Sequence, residues 1–376
     1  MAGIYIHIPF CKQACYYCDF HFSTNQQVRT DLVKAIVKEI VLQKNYLEGE
    51  PLQTIYFGGG TPSLLNQSEL ILILDAIRSV HHMDEQFEIT LEANPDDLTK
   101  SKLVEFRELG INRLSIGIQS FHQEFLRLLN RAHDASTAQA SFLLAREAGF
   151  NNVSIDLIYA IPGETDLQWK ADIQQAIDLN PEHISCYSLT IEEKTVFGRW
   201  SASGKLKASD DEIAAAQLEM LMNTLEQNGY EHYEISNFAK PGFQSKHNSN
   251  YWRQKKYLGV GPSAHSYNGT SRQYNISNNH VYLRSLEKET IPFEKEDLSL
   301  ENTINEYILT TLRTQQGTDL KKLNQDYGYN LLQKNTAYLS TIFENELATL
   351  NDGILQLTKK GKLLADKISS DLFITP

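Results

Sequence analysis

From residue 3 to about residue 235, short apolar runs rich in β-formers alternate with longer amphipathic stretches. The strand candidates lie at 4–8, 54–57, 88–91, 113–118, 152–158 and 183–189. Helix candidates lie near 27–48, 67–80, 99–109, 122–129, 135–148, 166–178 and 209–228. Strands alternating with helical patterns predict βαβ units and an α/β fold with a parallel sheet. Six units in series fit either a complete or partial (β/α) TIM-like barrel, or a doubly wound sheet. Polar residues gather directly after the strands: a cysteine loop after the first, Gly58-Gly59-Gly60-Thr61-Pro62 after the second and Glu92-Ala93-Asn94-Pro95 after the third. Function collects at that edge of a parallel sheet, and contributions from several strands favour a barrel.

Beyond residue 240 the pattern changes. Residues 241–283 are rich in Gly, Asn, Ser and Tyr and predict irregular or short-stranded structure. A helical pattern then covers 300–313, 319–327 and 329–350, followed by a short strand from 353 and a last helix over 359–368. The expected organisation is a barrel over 1–235, a connecting segment over 236–295 and a mainly helical, winged-helix-like module over 296–376. Winged helices often bind DNA, but Glu301, Asp319, Asp326, Glu344 and Glu346 scatter acid through this one. A packing or lid role suits it better.

Composition narrows the classes. The length of 376 residues suits two domains. A formal net charge of −12 argues against a nucleic-acid binder, since phosphate contacts need a basic surface. No run approaches the ~20 apolar residues that span a bilayer. Met1 to Phe10 has neither the basic nor the apolar segment of a signal peptide, so a cytoplasmic location is expected. Clustered cysteines in that reducing compartment serve metal or redox chemistry more often than disulfides.

Three of the four cysteines fall within eight residues, Cys11, Cys15 and Cys18, with the spacing C-x3-C-x2-C. That spacing supports three chemistries. A zinc site would add His21 as fourth ligand. A thioredoxin-like pair would use Cys15 and Cys18 and leave Cys11 idle. A [4Fe–4S] cluster on three thiolates would keep one iron open for a ligand. Gly58, Gly59 and Gly60 either let a ligand approach the backbone or simply make a tight strand–helix turn. Glu92, Gln119, Arg131 and Asp156 fall at or beside strand ends. Arg131 can fork onto a carboxylate, while Gln119 and Asp156 suit ribose hydroxyls, but any of them also serves as an ion-pair or capping residue. In Lys246-His247-Asn248-Ser249-Asn250-Tyr251-Trp252, His247 and Tyr251 share a face if the segment is helical. Both residue types can ligate haem iron, and both can equally pack on a barrel. Cys186 reads as a buried small hydrophobe and His7 as a packing or orienting residue.

Tyr5-Ile-His-Ile-Pro-Phe-Cys11, Phe57-Gly-Gly-Gly-Thr-Pro62, Glu92-Ala-Asn-Pro95, Ser115-Ile-Gly-Ile-Gln-Ser-Phe121, Arg131-Ala-His133, Ile155-Asp-Leu-Ile-Tyr159 and Tyr257-Leu-Gly-Val-Gly261 occur in that order. Together with the cysteine loop and the C-terminal module, they resemble the radical S-adenosylmethionine (SAM) superfamily. The resemblance covers nearly the whole chain. It is narrowest with the branch holding the oxygen-independent coproporphyrinogen III oxidases (HemN) and the HemW-type haem chaperones. It implies a partial (β/α)6 barrel, a [4Fe–4S] cluster on Cys11, Cys15 and Cys18, and SAM chelating the fourth iron. Tyr5 and the loop Gly58, Gly59, Gly60 and Thr61 would lie along the SAM methionine. Arg131 would pair its carboxylate, Gln119 and Asp156 would hold the ribose, and Glu92 would line the same pocket.

Three features separate the two activities within the branch. Phe20 stands where the oxidases carry a further cysteine, the first strand starts at residue 3 without their N-terminal extension, and H-N-x-x-Y with a following Trp is associated with haem binding. The resemblance therefore implies a haem chaperone with His247 and Tyr251 as haem contacts and an acceptor apoprotein as partner. Peripheral membrane association is compatible with it, and no catalytic residue is assigned. The alternative it leaves is radical-based oxidative decarboxylation of coproporphyrinogen III.

Overall fold

The computed structural model describes residues 1–374. Its first part runs β1 (Ala2–Ile8), α1 (Arg29–Leu42), β2 (Leu52–Gly59), α2 (Gln67–Val80), β3 (Met83–Ala93), α3 (Lys100–Glu108), β4 (Arg113–Gln119), α4 (Gln123–Leu128), α5 (Ala135–Glu147), β5 (Val153–Tyr159), α6 (Asp166–Leu179), β6 (His183–Ser188), α7 (Val196–Ala202) and α8 (Asp211–Gln227). Strands β1 to β6 lie side by side in chain order, every pair parallel. Then follow β7 (Glu231–Glu234), β8 (Asn237–Ala239), α9 (Lys246–Trp252), β9 (Tyr257–Val260), β10 (His265–Tyr267), β11 (Ser271–Asn275), α10 (Asn279–Glu287) and β12 (Phe293–Asp297). Strand β9 joins β1 in parallel and carries β10, β11 and β12 antiparallel beyond it, while β8 and β7 extend the far side of β6. The twelve strands form one sheet with two free edges. This α/β architecture is a partial barrel.

Period-two alternation decides which side chains meet the helices. In β1, Ala2, Ile4, Ile6 and Ile8 are fully buried and join the main core, in which Ile36 and Ile40 of α1 and Ile73 of α2 also lie. Tyr5 and His7 occupy the opposite face. The same division recurs with Ile55 and Phe57 against Thr54 and Tyr56, Ile89 and Leu91 against Glu88 and Glu92, and Ile155 and Leu157 against Ser154 and Asp156. The helix-facing side is therefore apolar and the concave side polar. Helix starts follow their sequence signals: Asn66 with Glu69, and Thr165 with Gln168, form reciprocal capping boxes on α2 and α6.

The C-terminal part contains α11 (Leu300–Leu312), β13 (Thr318–Asp319), α12 (Leu320–Tyr327), α13 (Leu331–Lys334), α14 (Thr336–Glu344), β14 (Ala348–Asn351), β15 (Ile354–Leu357), α15 (Lys359–Lys362) and α16 (Ala365–Asp371). Its helices enclose a second hydrophobic core, including Ile308, Leu323, Leu355 and Ile368, beside a three-stranded antiparallel sheet ordered β13-β15-β14. The helix expected to reach residue 350 stops at Glu344, and its tail is β14. Asp352 and Gly353, both at positive φ, make the two-residue turn of a hairpin with β15, as Asp-Gly favours. The segment expected to be irregular or short-stranded holds the short strands β9, β10 and β11, and also the helices α9 and α10, which were not expected. Side-chain oxygens of Ser245 and Asn278 cap its two helices. Helix α7 was not expected; Thr195 caps it, and Phe197 and Trp200 pack around Tyr16 of the cysteine loop.

Candidate cofactor site at the mouth of the barrel

The cysteine loop leaves β1 and is tied at its base: Cys11 N–H donates to Ser23 O at 3.1 Å and Ser23 N–H to Pro9 O at 2.8 Å. Its crown is clamped by Tyr16 N–H to Leu129 O (3.1 Å), Asn130 Nδ2 to Ala14 O (2.7 Å) and Lys12 between Asp96 (2.8 Å) and Asp97. Cys11, Cys15 and Cys18 are half-buried free thiols. Burial pushes the Cys18 thiol up to about 12 and raises Cys11 as well. Metal uptake by this loop must therefore displace protons. Among the described residues no three His, Cys, Asp or Glu side chains converge on a single-ion position. A cubane cluster binds each thiolate through a separate iron, so it asks three thiols of one loop for no common single-ion position. His21, the fourth zinc ligand weighed above, sends Nε2 to Asn279 Oδ1 at 2.8 Å. The donor set fits the cluster.

Arg131 connects this loop to the strand ends. Its Nη2 donates to Asn94 Oδ1 at 2.6 Å and Gly117 O at 2.8 Å, and Nη1 lies 3.4 Å from Cys15 Sγ and from the Tyr17 hydroxyl. Nε is buried and has no partner among the described residues. Gln119 ends β4 in the left-handed region at φ 70°, after a bulge. A Cβ on Gly117 would stand 2.8 Å from Gln119 Nε2 and 3.3 Å from Arg131 Nη2, so both polar side chains close over that glycine. Gln119 and Arg131 thus both flank Gly117, and Asp156 is the register partner of Gly117 on β5. Both Asp156 oxygens accept from Ser115 Oγ at 3.1 Å.

The glycine loop is packed tightly on its own protein. Gly59 has φ +104°, and a Cβ there would lie 2.5 Å from the His7 ring. A Cβ on Gly58 would meet Tyr5, Tyr56 and Glu92 at 2.9–3.1 Å. Thr61 Oγ1 reaches Cys11 Sγ at 3.5 Å, and Tyr5 stacks on Tyr56 at 6.1 Å. Tyr5, Thr61 and Glu92 are therefore neighbours through this loop.

Glu92 accepts from the Tyr56 hydroxyl at 2.8 Å and Gly59 N–H at 3.2 Å. Burial, with the Asp156 charge adding to it, pushes its carboxyl up to about 7. Burial raises Asp156 too, and Arg113, buried in the same lumen, opposes both shifts. A folded value above the unfolded ~4.3 means stability present below pH ~4.3 and lost as pH rises through about 7. In the absence of SAM, Glu92→Gln is expected to stabilise the protein by about 1–2 kcal/mol at pH 8, with the gain shrinking toward pH 5. Urea unfolding of both proteins at the two pH values checks this; a gain independent of pH would refute the assignment.

On α9, His247 Nε2 and the Tyr251 hydroxyl are 2.8 Å apart, one helical turn apart as the spacing required. His247 Nδ1 lies 2.8 Å from Thr54 Oγ1, and the ring stacks on Tyr56 at 4.9 Å. His247 is thus fully buried, with both nitrogens engaged; burial and then Arg113 lower it to about 3. Tyr251 reaches the surface of a cavity of about 500 Å³, and His247 stands one layer behind it. Tyr5, His7, Phe20, His21 and His265 line the same cavity. Sequence reasoning did not select Tyr17, Asn94, Tyr56, Arg113 or His265 for the site. Asn94, in the Glu92-Ala93-Asn94-Pro95 run, and Tyr17, inside the cysteine loop, carried a positional signal; Arg113, at a strand start, carried none.

Residues 5–176 match the radical SAM superfamily, and residues 298–364 match the HemN C-terminal domain. With the six parallel strands β1 to β6 and the cysteine loop, these matches define the class: a radical SAM fold with a HemN-type C-terminal domain. The heme chaperone HemW of Bacillus subtilis is 36% identical over 371 residues, covering 98% of both chains. Its Lactococcus lactis counterpart is 34% identical over 366 residues, 97% of this chain and 95% of that one. HemW of Escherichia coli is 39% identical over 265 residues, 70% of this chain and 69% of its own. The chain belongs to the HemW family of radical SAM proteins. Its fold superposes on Escherichia coli coproporphyrinogen III oxidase (HemN), a radical SAM enzyme, with a TM-score of 0.84 at 24% identity, covering 99% of this chain and 90% of that one. That family implies SAM and a [4Fe–4S] cluster. Among the described residues no helix is long and apolar enough to cross a membrane.

Proposed function

We propose that this protein is a haem chaperone, carrying haem beside a SAM-chelated [4Fe–4S] cluster and passing the haem to an acceptor apoprotein. Cys11, Cys15 and Cys18 hold the cluster. Arg131 orients the SAM carboxylate, Gln119 and Asp156 take the ribose hydroxyls, and Tyr5, Glu92 and residues 58–61 line the methionine end. When bound, cluster and SAM supply one-electron chemistry at the open iron. The protein's own residues position the ligands, hold the loop closed at its base and keep Glu92 available as a proton-bearing carboxyl near neutral pH. One observation carries the haem part: the cavity joins the end of the cysteine loop, at Asp19, Phe20 and His21, to Tyr251 of the H-N-x-x-Y helix. Haem contact runs through Tyr251, with His247 behind it accepting or sharing its proton.

Haem titration of the anaerobically reconstituted protein, followed at the Soret band, tests the reading. Stoichiometric uptake is expected, weakened about tenfold in His247→Ala, because the Tyr251 hydroxyl loses its only hydrogen-bond partner among the described residues. Tenfold corresponds to about 1.4 kcal/mol, the scale of one such hydrogen bond. Coproporphyrinogen III turnover at ordinary enzymatic rates would overturn the chaperone reading in favour of the oxidase.

A further inference from the structure

The cavity at the barrel mouth is bounded by three histidines, and a fourth, His247, stands behind its wall. Their hydrogen bonding differs. His7 is committed on both nitrogens, Nδ1 to the Tyr5 hydroxyl at 3.2 Å and Nε2 to His21 O at 2.9 Å. His21 is committed through Nε2 to Asn279 at 2.8 Å, which ties the cysteine loop to α10. His247 is committed on both nitrogens, to Thr54 and Tyr251. His265 alone has neither nitrogen hydrogen-bonded among the described residues; its ring is exposed and rests on Tyr274 at 5.6 Å.

The placement of His265 follows from β10. Alternation puts His265 and Tyr267 on the cavity face and buries Ser266 on the other, where its hydroxyl meets Gly259 N–H at 2.9 Å. Strand pairing holds His265 opposite Tyr274 and Tyr267 opposite Tyr257. Phe20 lines the same cavity and is 71% exposed although large and apolar. The cavity therefore offers aromatic walls, one apolar side chain left uncovered and one imidazole, that of His265, free on both nitrogens among the described residues, whereas His21 is held through Nε2. A flat, apolar group with a metal at its centre satisfies all three.

We propose that His265 is an axial ligand of the haem iron in this cavity, its imidazole lone pair bonding the metal. The proposal rests on the haem reading above and adds the ligating atom to it. Partial desolvation beside the cavity wall, and then the nearby Arg272 charge, lowers the basicity of the otherwise exposed His265 and favours the neutral ring that a metal accepts. Tyr251, backed by His247, then contacts the haem from its own wall without being the histidine ligand.

The test uses the full-length, anaerobically reconstituted protein loaded with haem, with optical and EPR spectra and haem release to excess apomyoglobin. His265→Ala is expected to lose the histidine-ligated signature and release haem at least tenfold faster, while millimolar imidazole restores the signature through the vacated space. His265→Tyr, which keeps a ligating side chain, is expected to shift to a phenolate-ligated spectrum; circular dichroism confirms that both variants fold. Unchanged spectra and release in both variants, with haem still bound stoichiometrically, would overturn the ligand assignment alone. Failure of the wild-type protein to take up haem would overturn the underlying reading, and this proposal with it.

Discussion

Arg131→Ala is expected to weaken SAM binding by about two orders of magnitude while leaving the iron content of the reconstituted protein unchanged. The guanidinium already uses Nη2 on Asn94 and Gly117 and holds Nη1 near Cys15 and Tyr17, so it is fixed before any ligand arrives. A preorganised, partly desolvated cation facing a carboxylate contributes on the order of 2–5 kcal/mol on truncation, and two orders of magnitude correspond to about 2.7 kcal/mol. The cysteine loop keeps its backbone ties at Ser23, Leu129 and Asn130, none of which involves Arg131 side-chain atoms. Arg131→Lys is not expected to rescue binding, because an ammonium cannot reproduce the planar fork that spans Asn94, Gly117 and the loop. Anaerobic calorimetry with SAM and a parallel iron assay decide the matter. Loss of iron together with SAM would mean that Arg131 supports the loop; unchanged SAM affinity would remove it from the site.

The second large effect concerns stability. Glu39 lies in the middle of α1, fully buried and, among the described residues, without a cationic partner. It accepts from Gly261 N–H at 2.8 Å, Asn275 Nδ2 at 2.7 Å, Gln43 Nε2 at 3.0 Å and the Tyr282 hydroxyl. One carboxylate thereby fastens α1 to β11, α10 and the turn after β9. Glu39→Ala leaves up to four buried donors unsatisfied, each costing about 1–3 kcal/mol before water enters. A net loss of about 3–5 kcal/mol is expected, against about 1–2 kcal/mol for the isostere Glu39→Gln. Urea unfolding measures both. Because β9 carries Tyr257, β10 carries His265 and Tyr267, and β11 carries Arg272 toward the cavity, Glu39→Ala is also expected to speed haem release. Equal stability of the Ala and Gln variants would show that the network is not what holds this wall.

Glu39 shows where sequence pattern stops being informative. A glutamate inside an amphipathic helix reads as a solvent-facing residue, and only the packing of residues 261–282 against α1 makes it a buried hub. Arg113 is similar: its place in a strand was expected, while its burial beside Glu92 and Asp156 depends on the sheet curving until their side chains face one lumen. The 352–353 turn is the opposite case. Its Asp-Gly signal was present in the chain, and the helical pattern before it was extended too far.

The six barrel strands were legible because each alternates a β-rich apolar face, covered by helices, with a polar face toward the lumen. The cysteine loop was legible because all three thiols lie within eight residues, so local spacing alone brings them together. Glu92, Gln119, Arg131 and Asp156 could be placed near the same edge because parallel strands bring their C-terminal ends to one side.

By itself, then, the sequence determined the six parallel βα units, the edge that carries their chemistry and the three-thiol loop, since each depends on short-range periodicity or spacing. Tertiary structure decided which side chains are spent and which are free. Residues 19–21 and 251–267 are separated by some 230 positions, and no pattern along the chain relates them. Their meeting depends on β9 pairing with β1, which carries β10 to the barrel mouth. That pairing leaves His247 buried behind Tyr251 and His265 open to the cavity.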